Sequence, residues 1–322
     1  MNWFRRLLGI QTDEDTQPKP RLSRDAPGPE PQRDSRGRWN PPPDEEDDET
    51  LQTRPLAPPR EFKNTRQVLR VGQLTHTGQV RNTNQDACMT FVAVSDVTNS
   101  PPPIGVFIVA DGMGGHHDGE MASTIAVQTL TSRMLRDVVV PHLDGHEQDL
   151  DQKTIPEALE DAMAAANKAV RQRIADGGTT ATCAVVRGDL AFIGHVGDSR
   201  AYLISDEVIE PITRDHSLVR RLQELGQLTA EEAEVHPQRN VLYRALGQDE
   251  SLEIDTVTRR LPPASRLMLC SDGMWGVVGD ARMRELLDEH DDPQEACDRL
   301  VAEANMNGGP DNITVVLIQM PD

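Results

Sequence analysis

The sequence predicts a layered α+β fold in which at least part of the sheet is antiparallel. Strand patterns come first along the chain, followed by two helix patterns, further strands, two more helices and a last strand. Three of the short strand patterns are separated only by tight turns, which is typical of an antiparallel meander. This order differs from the regular alternation of strands and helices in a doubly wound parallel sheet.

The first half of the folded part contains three strand patterns and two helix patterns. The strand patterns cover residues 67–75, 86–94 and 104–110. Apolar residues recur at three- and four-residue spacing over 118–137, which predicts a helix. Thr154 and Glu157 form a capping box that predicts the start of a second helix, and Gly177 marks its end.

The second half contains the remaining strands and two helices near its end. The strand patterns cover residues 180–186, 190–196, 200–204, 253–257, 266–270 and 313–319. Residues 178–180 predict a turn that leads into the first of these strands, with no catalytic role. Residues 214–247 are polar and predict a long loop with short helices at 217–225 and 229–235. The last two helices are predicted at about 280–289 and 293–306.

Composition separates an N-terminal tail, residues 1–62, from a folded domain, residues 63–322. The first 60 residues hold 11 of the 23 prolines and an acidic run at 44–49. Such a segment cannot bury enough apolar surface to offset its ordering entropy, so it is predicted to be disordered or partly polyproline II. Residues 1–10 place aromatic and aliphatic side chains beside two arginines. Three interpretations stay open for them: a weak membrane anchor, a docking peptide for a partner, or a start of no consequence.

Charge and cysteine usage exclude several classes of protein. Residues 1–60 carry 10 Lys and Arg against 12 Asp and Glu, a net of −2, so −18 of the total −20 lies in residues 61–322. A nucleic-acid-binding face needs a surplus of Lys and Arg, so we expect no nucleic-acid partner. The four cysteines form no Cys-x-x-Cys pair, and the first residues do not resemble a cleavable signal peptide. We therefore expect a reducing, cytoplasmic setting, without a disulfide framework or a structural zinc site.

Four aspartates stand beside predicted strands. Asp86 opens the second strand, Asp111 follows the third, Asp272 follows the strand that ends at residue 270, and Asp311 precedes the last strand. A single aspartate at such a position is usually a turn residue. Several carboxylates at one sheet edge repel each other unless a cation lies between them, and oxygen ligands suit Mg²⁺ or Mn²⁺. The pattern therefore predicts a two-metal hydrolase.

Six short motifs occur in order along the chain. They are Arg81-x-x-Asn84-Gln85-Asp86, Val109-Ala110-Asp111-Gly112-Met113-Gly114-Gly115, Gly178-Thr179-Thr180-Ala181-Thr182, Val196-Gly197-Asp198-Ser199-Arg200, Ser271-Asp272-Gly273-Met274-Trp275-Gly276 and Gly309-Pro310-Asp311-Asn312-Ile313-Thr314. Together they resemble the motif set of the metal-dependent protein phosphatases of type 2C, in particular the bacterial members. The resemblance runs over about 68–319. It implies a four-layer α-β-β-α sandwich with two central, mainly antiparallel sheets flanked by helices, and a substrate-facing flap at about 214–247.

The resemblance also implies a role for each carboxylate. Asp111 and the carbonyl of Gly112 would bind the first Mn²⁺ or Mg²⁺, with Asp86 bridging the ions or holding metal-bound water. Asp272 and Asp311 would complete the site of the second ion. A glycine after the ligand aspartate lets the backbone approach an ion without a Cβ clash.

Further residues are assigned by the same resemblance. Asp198 is similar to the ligand of a third, weaker metal, which Asp272 would share. Arg81 matches the guanidinium that clamps the substrate phosphate. Many relatives have a histidine two positions after the first aspartate, but Met113 stands at that position and cannot donate a proton. His116 is our hypothesis for an assisting acid, and a metal-bound water is the alternative.

The expected activity is hydrolysis of phosphoserine and phosphothreonine in proteins, by a hydroxide that bridges two metal ions. The expected catalytic residues are Arg81, Asp86, Asp111 and Asp272. The expected partners are phosphorylated substrate proteins and a serine/threonine kinase whose action the enzyme reverses, and we expect a monomer. The alternative is a non-catalytic scaffold of the same fold that binds phosphoproteins; such a protein is expected to lose metal carboxylates, whereas this chain retains each of them.

Overall fold

Two antiparallel sheets, stacked face to face between layers of helices, place the sequence motifs at one rim. The computed structural model describes residues 68–94, 101–115, 117–145, 153–205 and 208–321. The predicted tail, the membrane or partner anchor at residues 1–10, and His116 therefore lie outside the described residues. No helix among the described residues combines the length and the apolar character that crossing a membrane requires.

The described strands divide into two sheets. In chain order they are β1 (Arg70–His76), β2 (Asp86–Ala93), β3 (Ile104–Gly114), β4 (Gly177–Thr179), β5 (Ala181–Arg187), β6 (Leu190–Val196), β7 (Arg200–Ile204), β8 (Ile209–Pro211), β9 (Asp255–Arg260), β10 (Arg266–Cys270) and β11 (Ile313–Gln319). The first sheet has the order β1-β11-β10-β7-β8, and the second has the order β2-β3-β5-β6-β9 with β4 paired to β3. Every pairing between these strands is antiparallel.

Helices cover the outer faces and form part of the flap. In chain order they are α1 (Asp118–Met134), α2 (Val140–Asp144), α3 (Ile155–Arg173), α4 (Leu218–Glu224), α5 (Ala230–Glu234), α6 (Asp272–Trp275), α7 (Asp280–Glu289) and α8 (Pro293–Met306). A π-helical turn, Leu135–Val139, joins α1 to α2. The capping box predicted for α3 is present, since Thr154 accepts from the Glu157 amide while the Glu157 carboxylate accepts from the Thr154 amide.

Three apolar clusters show that the domain has four layers. One cluster joins α1 and α3 to the outer face of the second sheet, and another joins α7 and α8 to the outer face of the first sheet. The third lies between the two sheets, with Phe107 and Val109 on one side and Leu269 and Val316 on the other. The predicted α-β-β-α sandwich with two central antiparallel sheets is therefore confirmed.

Several element boundaries differ from the sequence prediction. The third strand continues past Ala110 to Gly114, because residues 177–179 pair with it as β4 rather than forming a simple turn. The helix predicted over 118–137 continues to Asp144 through the π-helical turn. β9 begins at Asp255, two residues later than predicted, and its register is set by pairing with β6. The short elements β8 and α6 have too few residues to show a periodic pattern.

Candidate functional site

Two aspartates of the second sheet lie side by side. Asp86 is the first residue of β2 and Asp111 belongs to β3, and the strand register pairs these two residues directly. Side chains of directly paired residues project from the same face of a sheet, with Cβ atoms about 4.5–5.5 Å apart. The register thus brings both carboxylates to one place, although 24 other residues separate them along the chain.

Two more aspartates reach the same rim from the first sheet. Asp272 follows the end of β10 and Asp311 precedes the start of β11, and these strands are antiparallel neighbours. The carboxyl groups of Asp272 and Asp111 lie close to each other, so the two sheets meet at this point. Both residues keep part of their surface accessible, although their carboxyl groups lie deep among other protein atoms.

Buried oxygen atoms without a partner mark the centre of this cluster. Asp86 is buried, and its Oδ2 accepts a hydrogen bond of 2.7 Å from the Ser271 hydroxyl. Its other oxygen, Oδ1, has no hydrogen-bond partner, and the same holds for Oδ1 of Asp272. A buried acceptor without a partner costs free energy, so two of them among further carboxylates indicate a site that suits a positive group.

The carboxyl groups of the cluster have raised pKa values, which also indicate a site that suits a cation. Burial, together with repulsion from Asp272 and Asp311, raises the pKa of Asp86 to about 7 against the hydrogen bonds that lower it. Burial and the charge of Asp311 raise the pKa of Asp272 to about 6. Burial and the charge of Asp86 hold the pKa of Asp111 well above its usual value. A nearby cation reverses such shifts because it favours the charged form of each carboxyl.

An arginine lies at the outer edge of the cluster. The Arg81 Nη2 donates to Asp311 Oδ2 across 2.7 Å. The Arg81 side chain is 49% exposed and that of Asp311 is 27% exposed, so the guanidinium reaches from the cluster towards solvent. A guanidinium in this position has further N–H groups with which to bind a second anion.

Asp198 lies beside Asp272 in the turn between β6 and β7. It is buried, and burial, followed by the charges of Asp272 and Asp215, holds the pKa of Asp198 well above its usual value. The indole Nε1 of Trp275 donates to the backbone carbonyl of Asp198 across 3.0 Å. Arg200 stacks 3.4 Å from the centre of the Trp275 ring and binds Asp215 with bonds of 2.9 and 2.7 Å. These contacts hold the turn against α6.

Backbone packing explains the glycine at position 112. A Cβ on Gly112 would lie 2.1 Å from the backbone oxygen of Gly119 in the first turn of α1. The Gly112 amide donates to the Gln85 carbonyl across 3.1 Å, and the Gln85 amide donates to Asn312 Oδ1 across 2.8 Å. The side-chain amide of Asn312 also donates to the backbone carbonyls of two earlier residues. Asn312 thus ties the Asp311 segment to the residues that precede Asp86.

Some contacts of the cluster were missed by sequence reasoning. The Thr180 hydroxyl accepts from the Asp111 amide across 2.9 Å and lies 2.8 Å from the Ser199 hydroxyl. Ser271 bonds Asp86, as described above. A neutral hydroxyl residue at a buried position gives no charge or spacing signal in the sequence. Thr180 and Ser271 therefore stood out only as members of the motifs. The Gln248 amide lies 3.9 Å from Met113 Sδ, which places the loop after the flap beside the rim.

The structure brings together most of the residues predicted for the site. Asp86, Asp111, Asp272 and Asp311 form one cluster with Arg81 at its edge, and Asp198 adjoins it through Asp272. Within the described ranges, no three His, Cys, Asp or Glu side chains are arranged, as they stand, so that they could hold one metal ion. An open carboxylate cluster suits Mg²⁺ and Mn²⁺, since such hard cations keep several water ligands beside a few carboxylates.

Known proteins are similar to this chain in sequence and fold. The family model described as Protein phosphatase 2C matches residues 75–306. The serine/threonine phosphatase stp of Listeria innocua is 36% identical over 245 residues, which are 76% of this chain and 93% of that protein. The solved S. agalactiae serine/threonine phosphatase is 30% identical, with a TM-score of 0.67 over 79% of this chain and all of that one.

A further structure shows what one relative binds. The catalytic domain of the serine/threonine phosphatase PstP was solved in complex with two manganese ions. It is 30% identical, with a TM-score of 0.64 over 79% of this chain and 99% of that one. The chain therefore belongs to the protein phosphatase 2C family of enzymes, with bacterial serine/threonine phosphatases among its relatives.

Proposed function

We propose that this protein hydrolyses phosphoserine and phosphothreonine in proteins with the help of divalent metal ions, and so reverses the action of a serine/threonine kinase. The observation that carries the proposal is the pair of buried, unpartnered oxygens on Asp86 and Asp272 within a cluster of carboxylates from both sheets. Oxygen-only donors of this kind fit Mn²⁺ or Mg²⁺. A relative that binds two manganese ions supports the same assignment.

The donor set divides between two ions. Asp111 and the Gly112 carbonyl would hold the first, Asp272 and Asp311 would hold the second, and Asp86 would serve the same pair directly or through metal-bound water. The free oxygens of Asp86 and Asp272 are the donors that the protein leaves unsatisfied. Asp198 would serve a third, weaker ion because its buried carboxyl lies next to Asp272.

The protein groups around this donor set bind and orient the substrate. When bound, divalent cations acidify water for attack at phosphorus and offset the charge of the phosphate. Arg81 would bind two phosphate oxygens with its guanidinium fork and stabilise the charge that develops in the transition state. Ser271 fixes the orientation of Asp86 through its 2.7 Å hydrogen bond. Met113 cannot donate a proton to the leaving oxygen, so the source of that proton lies with His116 or with solvent.

Phosphate release from a phosphothreonine peptide, measured as a function of manganese concentration, tests the proposal. We expect no release in EDTA, saturable release with Mn²⁺, and loss of release in Asp272→Asn. Binding of the peptide without release would support the scaffold alternative and overturn the proposal. A panel of small phosphoesters, compared with the peptide by kcat/KM, would show whether a metabolite is the better substrate.

A further inference from the structure

A cleft of about 660 Å³ lies between the flap, residues 214–247, and the loop that follows it. Its lining includes Arg214, Arg221 and Tyr243 on the flap side and Asp249 and Glu253 on the loop side. No feature of the proposed phosphate chemistry uses this cleft. Its size and polar lining suit a few side chains of a peptide.

The cleft adjoins the carboxylate cluster at two places. His216 lines the cleft, and its Nδ1 accepts from the amide of Gly197, the residue before Asp198. On the other side, Gln248 precedes the cleft residue Asp249 and contacts Met113, two residues after Asp111. A peptide whose phosphorylated residue occupies the cluster can therefore extend into the cleft on this side.

Positive charge is undercompensated at the flap end of the cleft. Arg214, Arg220 and Arg221, the flap arginine cluster, all pair with the single carboxylate of Glu224. Arg220 and Arg221 approach it only to 3.6 and 3.5 Å, and all three guanidinium side chains are about half exposed, at 51, 49 and 55%. One carboxylate cannot neutralise three guanidinium groups, so the cluster retains capacity for a second anion.

Most of the other charged side chains that line the cleft are already engaged, and the exposed carboxylate of Asp249 adds negative charge on the loop side. Arg244 pairs with Glu253 and Asp255, and His216 also contacts Asp255. The Glu232 carboxylate accepts from the backbone amide of Thr229, the N-cap residue of α5. The excess of positive charge is therefore local to the flap arginine cluster, where three arginines share one carboxylate, and the loop side of the cleft is acidic.

We infer that the flap arginine cluster binds an acidic side chain of the substrate protein, a few residues away from the phosphorylated residue. This inference rests on the proposed function and deepens it, since it names a feature of the preferred substrates. The acidic group is a carboxylate or a second phosphate, because both offer oxygens that a guanidinium fork binds. Three sharing arginines favour a doubly charged phosphate over a single carboxylate.

Peptide pairs that differ in one charge test the inference. A phosphothreonine peptide carries a single glutamate that is moved from four residues before the phosphothreonine to four residues after it, and each version is compared with its glutamine counterpart. We expect a KM about two- to fivefold lower for glutamate at one or two positions, the range that exposed ion pairs allow. This advantage should shrink as salt is raised. A further set of peptides carries phosphoserine in place of the glutamate. Mass spectrometry then follows the loss of phosphate from the phosphothreonine alone, and a comparison of KM values shows whether the carboxylate or the second phosphate binds better.

Variants of the full-length protein locate the effect. In Arg221→Gln we expect the KM ratio between paired peptides to fall towards one, whereas the matched variant Arg260→Gln keeps the wild-type ratio. Arg260 is an exposed arginine that pairs with Asp189 and does not line the cleft. No advantage for glutamate at any position, or a ratio that survives in Arg221→Gln, overturns the inference. Failure to hydrolyse every peptide would overturn the proposed function instead.

A second outcome concerns the chain's own acidic run at 44–49. If Arg221→Gln increased activity on glutamate and glutamine peptides equally, the cluster would hold that run and not the substrate. This result would also overturn the inference. Melting temperatures of both variants, measured beside the wild type, separate a local change of binding from a loss of the flap structure.

Discussion

Ser271 donates a 2.7 Å hydrogen bond to the carboxylate of Asp86, although the two residues are 185 positions apart and lie at the ends of strands in different sheets. The same serine oxygen accepts from the Thr314 amide across 3.0 Å, and it is fully buried. Ser271 therefore orients one carboxylate of the candidate metal site while it ties β10 to β11. The free oxygen of Asp86 is left pointing at a fixed place.

Replacement of Ser271 by alanine should weaken metal binding more than turnover at saturating metal. Asp86 would lose the hydrogen bond that orients it, and losses of this kind cost about 10- to 100-fold in metal affinity. We expect the Mn²⁺ concentration for half-maximal activity to rise at least tenfold in a titration of phosphate release. Ser265→Ala, which removes a serine hydroxyl bonded to Pro262 in a distant turn, is the control. An unchanged metal requirement would show that Ser271 serves stability alone.

Arg81→Lys should lower kcat/KM for a phosphothreonine peptide by about 10²-fold, because lysine keeps the charge but lacks the two-pronged fork. Steady-state kinetics at saturating Mn²⁺ measures this. The matched control is Arg70→Lys, since Arg70 also forms a half-exposed pair with one aspartate, Asp292, at 3.0 Å. Equal losses in the two variants would contradict a phosphate-binding role for Arg81.

Asp272→Asn should stabilise the metal-free protein while it abolishes activity. The folded-state pKa of Asp272 is raised to about 6 from 3.8, mainly by burial and then by Asp311. A raised carboxyl pKa means that the unfolded state loses this proton more readily, so ionisation destabilises the fold at every pH above about 4 and fully above about 6. The free energy of unfolding of Asp272→Asn should therefore exceed that of the metal-free wild type by on the order of 1–3 kcal/mol at pH 7.

Urea unfolding in EDTA measures the difference in free energy of unfolding between Asp272→Asn and the wild type. A melting scan with added Mn²⁺ measures how much the metal stabilises each protein. The wild type should gain stability when Mn²⁺ is added, whereas Asp272→Asn should gain much less. If Asp272→Asn were less stable than the wild type in EDTA, ionisation of Asp272 would not be what destabilises the metal-free protein.

His195 should make the protein less stable as pH falls from 6.5 towards 4. Burial, and then the neighbouring His216, lower its pKa to about 4 from 6.5. The neutral ring lies 2.9 Å from the Thr182 hydroxyl and 3.1 Å from the Arg214 carbonyl. Between the two pKa values only the unfolded state takes up the proton, so stability decreases as pH falls across this window and levels off below it.

The loss should reach about 3 kcal/mol between pH 6.5 and pH 4. Urea unfolding at several pH values gives the slope, and the difference between wild type and His195→Gln isolates the contribution of this residue. Other groups titrate in both proteins and cancel in the difference. A difference that does not vary with pH would show that His195 titrates normally.

Much of the fold was predictable because its elements carry strong local signals. The strands at 190–196, 200–204 and 313–319 were predicted at the bounds that β6, β7 and β11 have. The start of α3 followed from its capping box, since a cap depends only on neighbouring residues. β4 could not be predicted, because a Gly-Gly-Thr segment has no strand pattern and pairs only once β3 extends beside it.

The carboxylates of the candidate site were also predicted from sequence, but their supporting contacts were not. Asp86 and Asp111 occupy recognisable motifs, and their pairing follows from the strand register. The bond between Ser271 and Asp86 depends on how two sheets stack, which no local pattern records. The same reason hides the sharing of Glu224 by three flap arginines, because it depends on the course of the flap.

The candidate metal site lies across a seam, with Asp86 and Asp111 on one sheet and Asp272 and Asp311 on the other. The gap between these two halves is therefore set by the thickness of the side-chain layer between the sheets, where Phe107 is fully buried. A conservative change in that layer can move the halves apart without touching a reactive group. Activity in this enzyme should accordingly be sensitive to interlayer spacing, and an inactive variant does not by itself identify a residue of the reaction.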